Sequence, residues 1–137
     1  MIELMPTMNA ALMAACVARL GVGAFCHVYG GVRPAAGAAS AGAPVCVIFL
    51  ASPCATVDGL TGNMVFVPTD NEGTNGQIAN ATAPTWVRFF AANGDICMDM
   101  DARLSGDTNT GQEVILTATA LLLGAFVRIV GGGFTAA

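Results

Sequence analysis

Lysine is absent from this chain, and its five arginines, Arg19, Arg33, Arg88, Arg103 and Arg128, lie far apart. Neutralising phosphates takes a stripe of positive charge, and with a net charge of −4 the sequence offers none, so nucleic-acid binding is not expected. Charge of either sign is scarce. Only 10% of residues are charged, against about 25% in an ordinary soluble domain. His27 is the only histidine, and the five cysteines, Cys16, Cys26, Cys46, Cys54 and Cys97, include no C-x-x-C pair, so a zinc site is not expected. A spanning helix needs about 20 apolar residues. The longest candidate, Val114 to Val127, is shorter, ends at Arg128 and carries Thr117, Thr119 and Gly124, which suit a strand better, so no membrane segment is expected. No secretory signal is readable, because no positive residue precedes the apolar stretch Ala10 to Val17.

What is present is apolar: 55% of the 137 residues, enough for one domain that buries roughly two thirds of its unfolded surface. So few charges leave Ala, Gly, Ser, Thr and Asn to cover the outside. A surface of that kind is expected to be hidden by neighbours in an assembly; a monomer from an alanine-rich proteome is the plainer alternative.

The most legible stretch is Pro84 to Leu104. Trp86, Val87, Phe89 and Phe90 favour strands, Asn93-Gly94 suits a type I′ turn, and alternation resumes beyond it, so a β-hairpin is expected. Period two puts Ile96, Met98 and Met100 on one face and Cys97, Asp99 and Asp101 on the other. Phe89 and Phe90 are adjacent and must point to opposite sides, so one of them meets a second sheet, a partner or solvent.

Before the hairpin, Met1 to Pro6 reads as an arm, and Thr7 can cap a helix from about Met8 to Leu20 that Gly21 ends. Leu12, Met13, Cys16, Val17 and Leu20 form one apolar stripe on it. Strands are expected over Val22 to Gly30, over Val45 to Leu50 with both faces buried, and over Gly62 to Val67, with surface loops at Gly31 to Pro44, Ala51 to Thr61 and Pro68 to Ala81. After the polar turn Ser105 to Gly111, two final strands follow, Gln112 to Leu123 and Ala125 to Val130. Residues 1–137 therefore read as one mainly β domain: arm and helix over 1–21, strands over 22–130, and a flexible tail over 131–137 that holds Gly131-Gly132-Gly133. Seven to eight strands with no second helix for crossovers argue for an antiparallel β-sandwich with one N-terminal α-helix.

Chemistry is sparse. Cys26 and His27 are neighbours in sequence but point to opposite faces of a strand, which rules them out as a catalytic pair. Asp95, Asp99 and Asp101 could bind a metal, but no D-x-D-x-D-G loop accompanies them and they read as a solvated face; Asp70 with Glu72, and Asp107 with Asn109, read as turn residues. Gly21-Val22-Gly23 precedes a strand, not a helix, so it is no phosphate loop. Catalytic, cofactor-binding and metal-binding residues are thus not expected. The cysteines read as buried thiols. The sharper alternative is disulfides, between subunits included, with Cys54 in Ser52-Pro53-Cys54 the best candidate.

With Tyr29-Gly30 and Pro34 after a short helix, and Trp86-x-Arg88 leading through Asn93-Gly94-Asp95 into the next strand, the chain resembles a group of small structural proteins of tailed bacteriophages. The cysteines and the long apolar end depart from that group. The resemblance implies a non-enzymatic virion component with a β-sandwich fold, assembled in the bacterial cytoplasm. As such it is expected to be a multi-copy capsid decoration, head or neck accessory protein that binds copies of itself and major capsid, neck or tail proteins. Leu12, Cys16, Tyr29, Trp86 and Phe90 are the interface candidates. The alternative is a tail-tip or fibre module that recognises a host surface through the loops 31–44 and 68–81.

Overall fold

The computed structural model describes residues 5–40, 42–70, 72–106, 111–118 and 122–134. Most of the expected arm, the centre of the turn around Asp107 and Asn109, the position of Thr119 and the last residues of the tail lie outside the described residues. One helix, α1 (Pro6–Leu20), precedes eight strands: β1 (Phe25–Tyr29), β2 (Cys46–Phe49), β3 (Ala55–Val57), β4 (Met64–Phe66), β5 (Trp86–Phe90), β6 (Ile96–Leu104), β7 (Glu113–Ala118) and β8 (Val127–Phe134). The chain is mainly β with one N-terminal helix, as its sequence predicts.

The strands form one mixed sheet in the order β2-β1-β5-β6-β7-β8-β4-β3, curled into a half-barrel rather than divided clearly into the two layers of a sandwich. It is not wholly antiparallel. β6 and β7 run parallel over a short overlap, from Asp101 opposite Glu113 to Leu104 opposite Leu116. Alternation of side chains is the same in both strand directions, so period two could not reveal this pairing.

Curling brings the β2 edge back toward the start of β8, and the segment 76–79 joins them. The Gly76 and Ala79 amides donate to the Val47 and Val45 carbonyls, while the Val127 and Ile78 amides donate to the Gly76 and Ala125 carbonyls, at 2.7–2.9 Å. Ile78 is buried there. Part of the stretch 68–81, expected as an exposed loop, is therefore structural. Beside it, the Asn75 carboxamide pairs with the Phe49 main chain as a strand would: the Phe49 amide donates to Asn75 Oδ1 at 2.7 Å, and Asn75 Nδ2 donates to the Phe49 carbonyl at 3.3 Å.

Inside the curl lie Cys26, Val28, Ile48, Val87, Leu116 and Ile129, with Phe66 stacked on Phe89 at 5.2 Å. Phe89 takes the inner side and Phe90 the outer one. β2 is buried on one face only, because Phe49 is exposed, and β3 arises within the expected loop 51–61. α1 lies across the gap between β3 and β6. It begins two residues earlier than a Thr7 cap would set: Met5 occupies the cap without a side-chain bond, and Pro6, whose missing amide costs nothing there, opens the helix. Gly21, at φ 66°, ends it and donates to the Val17 carbonyl.

The triple glycine is strand, not tail. At Gly132 and Gly133 the neighbouring backbones approach so closely that a side chain at either would meet the carbonyl of Glu113 or Met64. Gly132 also has φ 81°, which glycine alone adopts at no cost. Gly132→Ala is therefore expected to lower unfolding free energy by at least about 2 kcal/mol. Gly131→Ala, with open space around it, stays within about 0.5 kcal/mol of wild type. Urea titrations of the two variants check the contrast.

Candidate interaction surface

The outer face of β2, β1, β5 and β6 can be read off the register. Phe49, Phe25, Phe90 and Ile96 form one row across four strands; Val47, His27, Arg88 and Asp99 form the next; Tyr29, Trp86 and Asp101 form a third. A β-bulge at the turn end of the hairpin sets the first row. The pairing shifts between Phe89 and Phe90, so that Ile96 lies opposite Phe90 instead of joining Met98 and Met100 on the inner face. The turn is also not the expected type I′, because Asn93 does not have positive φ. Gly94 alone does, at 91°, and it donates to the Ala91 carbonyl.

The centre of the second row and the aromatic pair of the third are covered. Arg88 Nε and Nη2 grip the Asp99 carboxylate at 2.8 and 3.1 Å, and Nη2 also donates to the Ala38 carbonyl at 2.6 Å. Arg33 reaches Asp101 at 3.2 Å, and the Gly37 amide lies 3.4 Å from Asp99 Oδ2, so the loop 31–44 is laid over this part of the sheet. Tyr29 stacks on Trp86 at 4.5 Å, and the Arg88 guanidinium sits 5.2 Å from the Trp86 ring. Tyr29 and Trp86 are thereby buried and cannot serve as the interface anchors expected of them.

Asp99 was expected on a solvated face, yet its side chain is only 4% exposed and that of Arg88 only 5%. Burial acts to raise the Asp99 pKa, but the hydrogen bonds from Arg88 and Gly37 and the charges of Arg88 and Arg33 outweigh it and hold the carboxyl below its usual range. His27, whose Nδ1 lies 3.2 Å from the Tyr29 hydroxyl, has its pKa lowered by burial and by Arg88. The remaining hairpin acid, Asp95, pairs with Arg19 at 2.8 Å. Asp95, Asp99 and Asp101 are thus each held by an arginine. Among the described residues no group of His, Cys, Asp and Glu could hold a metal, and no buried side-chain polar atom lacks a partner.

The first row stays open. Phe25 stacks on Phe90 at 5.0 Å, His27 packs 4.6 Å from Phe90, and the ends of the row, Phe49 and Ile96, are 59% and 46% exposed. Ile96 also lines a cleft of about 570 Å³ against α1, together with Leu12, Cys16 and Arg19. The aromatic row is thus continuous with the helix. There the expected single stripe is divided: Met13, Val17 and Leu20 pack toward the core, whereas Leu12 and Cys16 face solvent.

The thiols divide the same way. All five are free; Cys26, Cys46 and Cys54 are buried, Cys97 is half-buried and Cys16 is exposed. Burial raises the pKa of Cys26 and Cys54 and pushes Cys46 up to about 12, so these three are unreactive at neutral pH. Cys54 is the wrong thiol for a bridge between subunits: the loop around it folds it inward. Among the described residues no helix is long and apolar enough to cross a membrane. No family model, curated protein or solved structure matches the chain.

Two outcomes follow from the covered rows. Asp99→Asn leaves Arg88 buried without its counter-charge and is expected to cost about 3–5 kcal/mol, whereas Asp101→Asn, from an exposed pair, costs less than about 1 kcal/mol. For pH, the depressed Asp99 value means that its stabilisation is present above the unfolded carboxyl value near ~3.9 and is lost as pH falls through the folded one. The lowered His27 value has the same sign: protonation favours the unfolded chain, so stability declines below about pH 6.5. Denaturant midpoints measured from about pH 7 downward should fall in both ranges, and His27→Asn should flatten the upper one.

Proposed function

We propose that the protein is a structural subunit of a tailed-bacteriophage virion, a multi-copy accessory or decoration protein that acts by burying apolar surface against neighbouring subunits. The observation that carries this reading is the continuous band from Phe49 through Phe25, Phe90 and Ile96 to Leu12. Its three phenylalanines are in ring contact, Ile96 lies opposite Phe90 in the register, and Leu12 lines the cleft beside Ile96, on a chain with too few charges to keep such a surface solvated. The band lacks the convergent polar groups that a small-molecule site needs for orientation, and its aromatic members suit the centre of a protein interface. The virion itself enters through the sequence resemblance.

Recognition of a host surface through the loops is less well supported. Loop 31–44 is spent on Arg88, Asp99 and Asp101, and 76–79 is spent on joining two strands.

The test uses particles. Mass spectrometry of purified virions should find the protein, and an image reconstruction should place its aromatic row against a neighbour. Phe49→Ser combined with Ile96→Ser, both at exposed positions, should leave the thermal unfolding transition within a few degrees of wild type, a shift of about 1 kcal/mol or less, while abolishing incorporation. Absence from particles, or normal incorporation of the double variant, defeats the proposal.

A further inference from the structure

Three of the five thiols are buried, and the two that are not, Cys16 and Cys97, line the same cleft of about 570 Å³. Cys16 is exposed on α1. Cys97 is the residue that the β-bulge adds to β6: Met98 lies opposite Phe89 and Ile96 opposite Phe90, and no residue of β5 lies opposite Cys97. Strict alternation would put it on the outer face beside Asp99. The bulge turns it instead to the edge of the core, with its Sγ 3.6 Å from the Asp95 carbonyl.

Contacts on either side bring the two thiols level. α1 and β6 approach within 8 Å between Cα atoms. At one end of the approach, Arg19 Nη2 lies 2.8 Å from Asp95 Oδ2. Cys16 stands just under one turn back along the helix from Arg19, and Cys97 stands two residues on along the strand from Asp95. At the other end, a further turn back and one to three residues further on, Met13, Met98 and Met100 line the adjoining cleft, with Cys16 again on its wall. The helix thus runs antiparallel to the strand, and Cys16 with Cys97 is the pair between the ion pair and the methionines. The other residues lining the shared cleft are apolar except Arg19, which Asp95 engages. The two thiols have no reactive neighbour there but each other.

We infer that Cys16 and Cys97 form an intramolecular disulfide that fastens α1 to the hairpin when the chain meets an oxidising environment. The oxidant is a small disulfide such as oxidised glutathione. One protein thiolate attacks it, forming a mixed disulfide and releasing one small thiol; the other thiolate then attacks the protein sulfur of that bond and releases the second. Two electrons pass from the protein to the small disulfide, and the two protons the protein loses end on the two released thiols. The bond brings the sulfurs to about 2 Å and so closes the cleft. The loop it makes takes in β1 to β5, a strong restriction of the unfolded chain, whereas the exposed Arg19–Asp95 pair contributes little to holding the helix. The inference holds whether or not the chain is a virion subunit.

Tryptic mapping of the full-length chain, incubated with oxidised glutathione and left unreduced, tests it. Cleavage after arginine, which Pro34 blocks at Arg33, separates Cys16 in residues 1–19 and Cys97 in residues 89–103 from Cys26, Cys46 and Cys54 in residues 20–88. The expected product is a monomer lighter by two hydrogen atoms in which 1–19 is bonded to 89–103, with Tm roughly 5–15 °C above that of the reduced chain. Cys16→Ser and Cys97→Ser, at positions that are not buried, should leave the reduced-state Tm within a few degrees of wild type. In each, the one accessible thiol left should stop at the mixed disulfide with glutathione, without the rise in Tm. Thiols that stay reduced, mixed disulfides at both positions of the wild type, a bridge between two copies, a bond from either thiol into 20–88, or a cross-link that leaves Tm unchanged overturns the inference.

Discussion

The register of the β5–β6 hairpin decides what lies inside this molecule and what lies outside, and the buried Arg88–Asp99 pair fixes that register. A slip of one residue would turn Phe89 and Val87 outward and bring Arg88 into the apolar interior without a counter-charge, an error far costlier than any surface rearrangement. A bidentate guanidinium–carboxylate bond tolerates only one alignment of the two strands. Once the hairpin is set, β1 pairs on one side of it and β7 on the other, and the sheet curls over Phe66 and Phe89. The same ion pair holds the loop 31–44 through the Ala38 carbonyl, so one interaction governs both the inner packing and the coverage of the outer face. A buried ion pair is weak evidence for net stability; its contribution here is to specify one alignment over others.

The bulge beside the turn has the complementary effect. Everything from Arg88 back to Trp86 follows the register of a simple hairpin, while Phe90 is moved opposite Ile96. That single shift brings a large aliphatic side chain onto the outer face next to two stacked phenylalanines and links the sheet surface to the helix. The apolar band is a product of local irregularity at one strand end, the usual place where a bulge re-aims side chains. Tyr29 and Trp86, apolar by type and on the same face, are lost to it because a loop covers them. Which aromatics remain available to a partner is thus decided by loop coverage and by one extra residue in a strand.

These causes explain what could be read from the residues and what could not. The helix, its end at Gly21, the hairpin, the opposite orientations of Cys26 and His27 and the predominance of strands all follow from local rules, and the structure has them. The Arg88–Asp99 pair was also within reach, because the two residues are equidistant from Asn93-Gly94 and a hairpin centred there sets them opposite one another. Taking the acids as a solvated face missed an arginine in the middle of an apolar strand that needed a partner. The parallel pairing of β6 with β7 and the single curled sheet could not be read, since both depend on where distant strands meet. Gly131-Gly132-Gly133 misled for a related reason. Glycine marks chain freedom and close backbone approach alike, and only the neighbouring strands distinguish the two.

The Asn75 carboxamide, bonded to both main-chain groups of Phe49, occupies the outermost hydrogen-bonding position of β2, next to the junction at 76–79. At the opposite end of the sheet, β3 is only three residues long. A chain rich in apolar strands runs the risk of edge-to-edge polymerisation into fibrils. Here the β2 rim is stoppered by a side-chain amide and the other rim is too brief to template a stranger. Any contact the molecule makes with another protein therefore falls to its side-chain surfaces and not to backbone ladders, which extend without end.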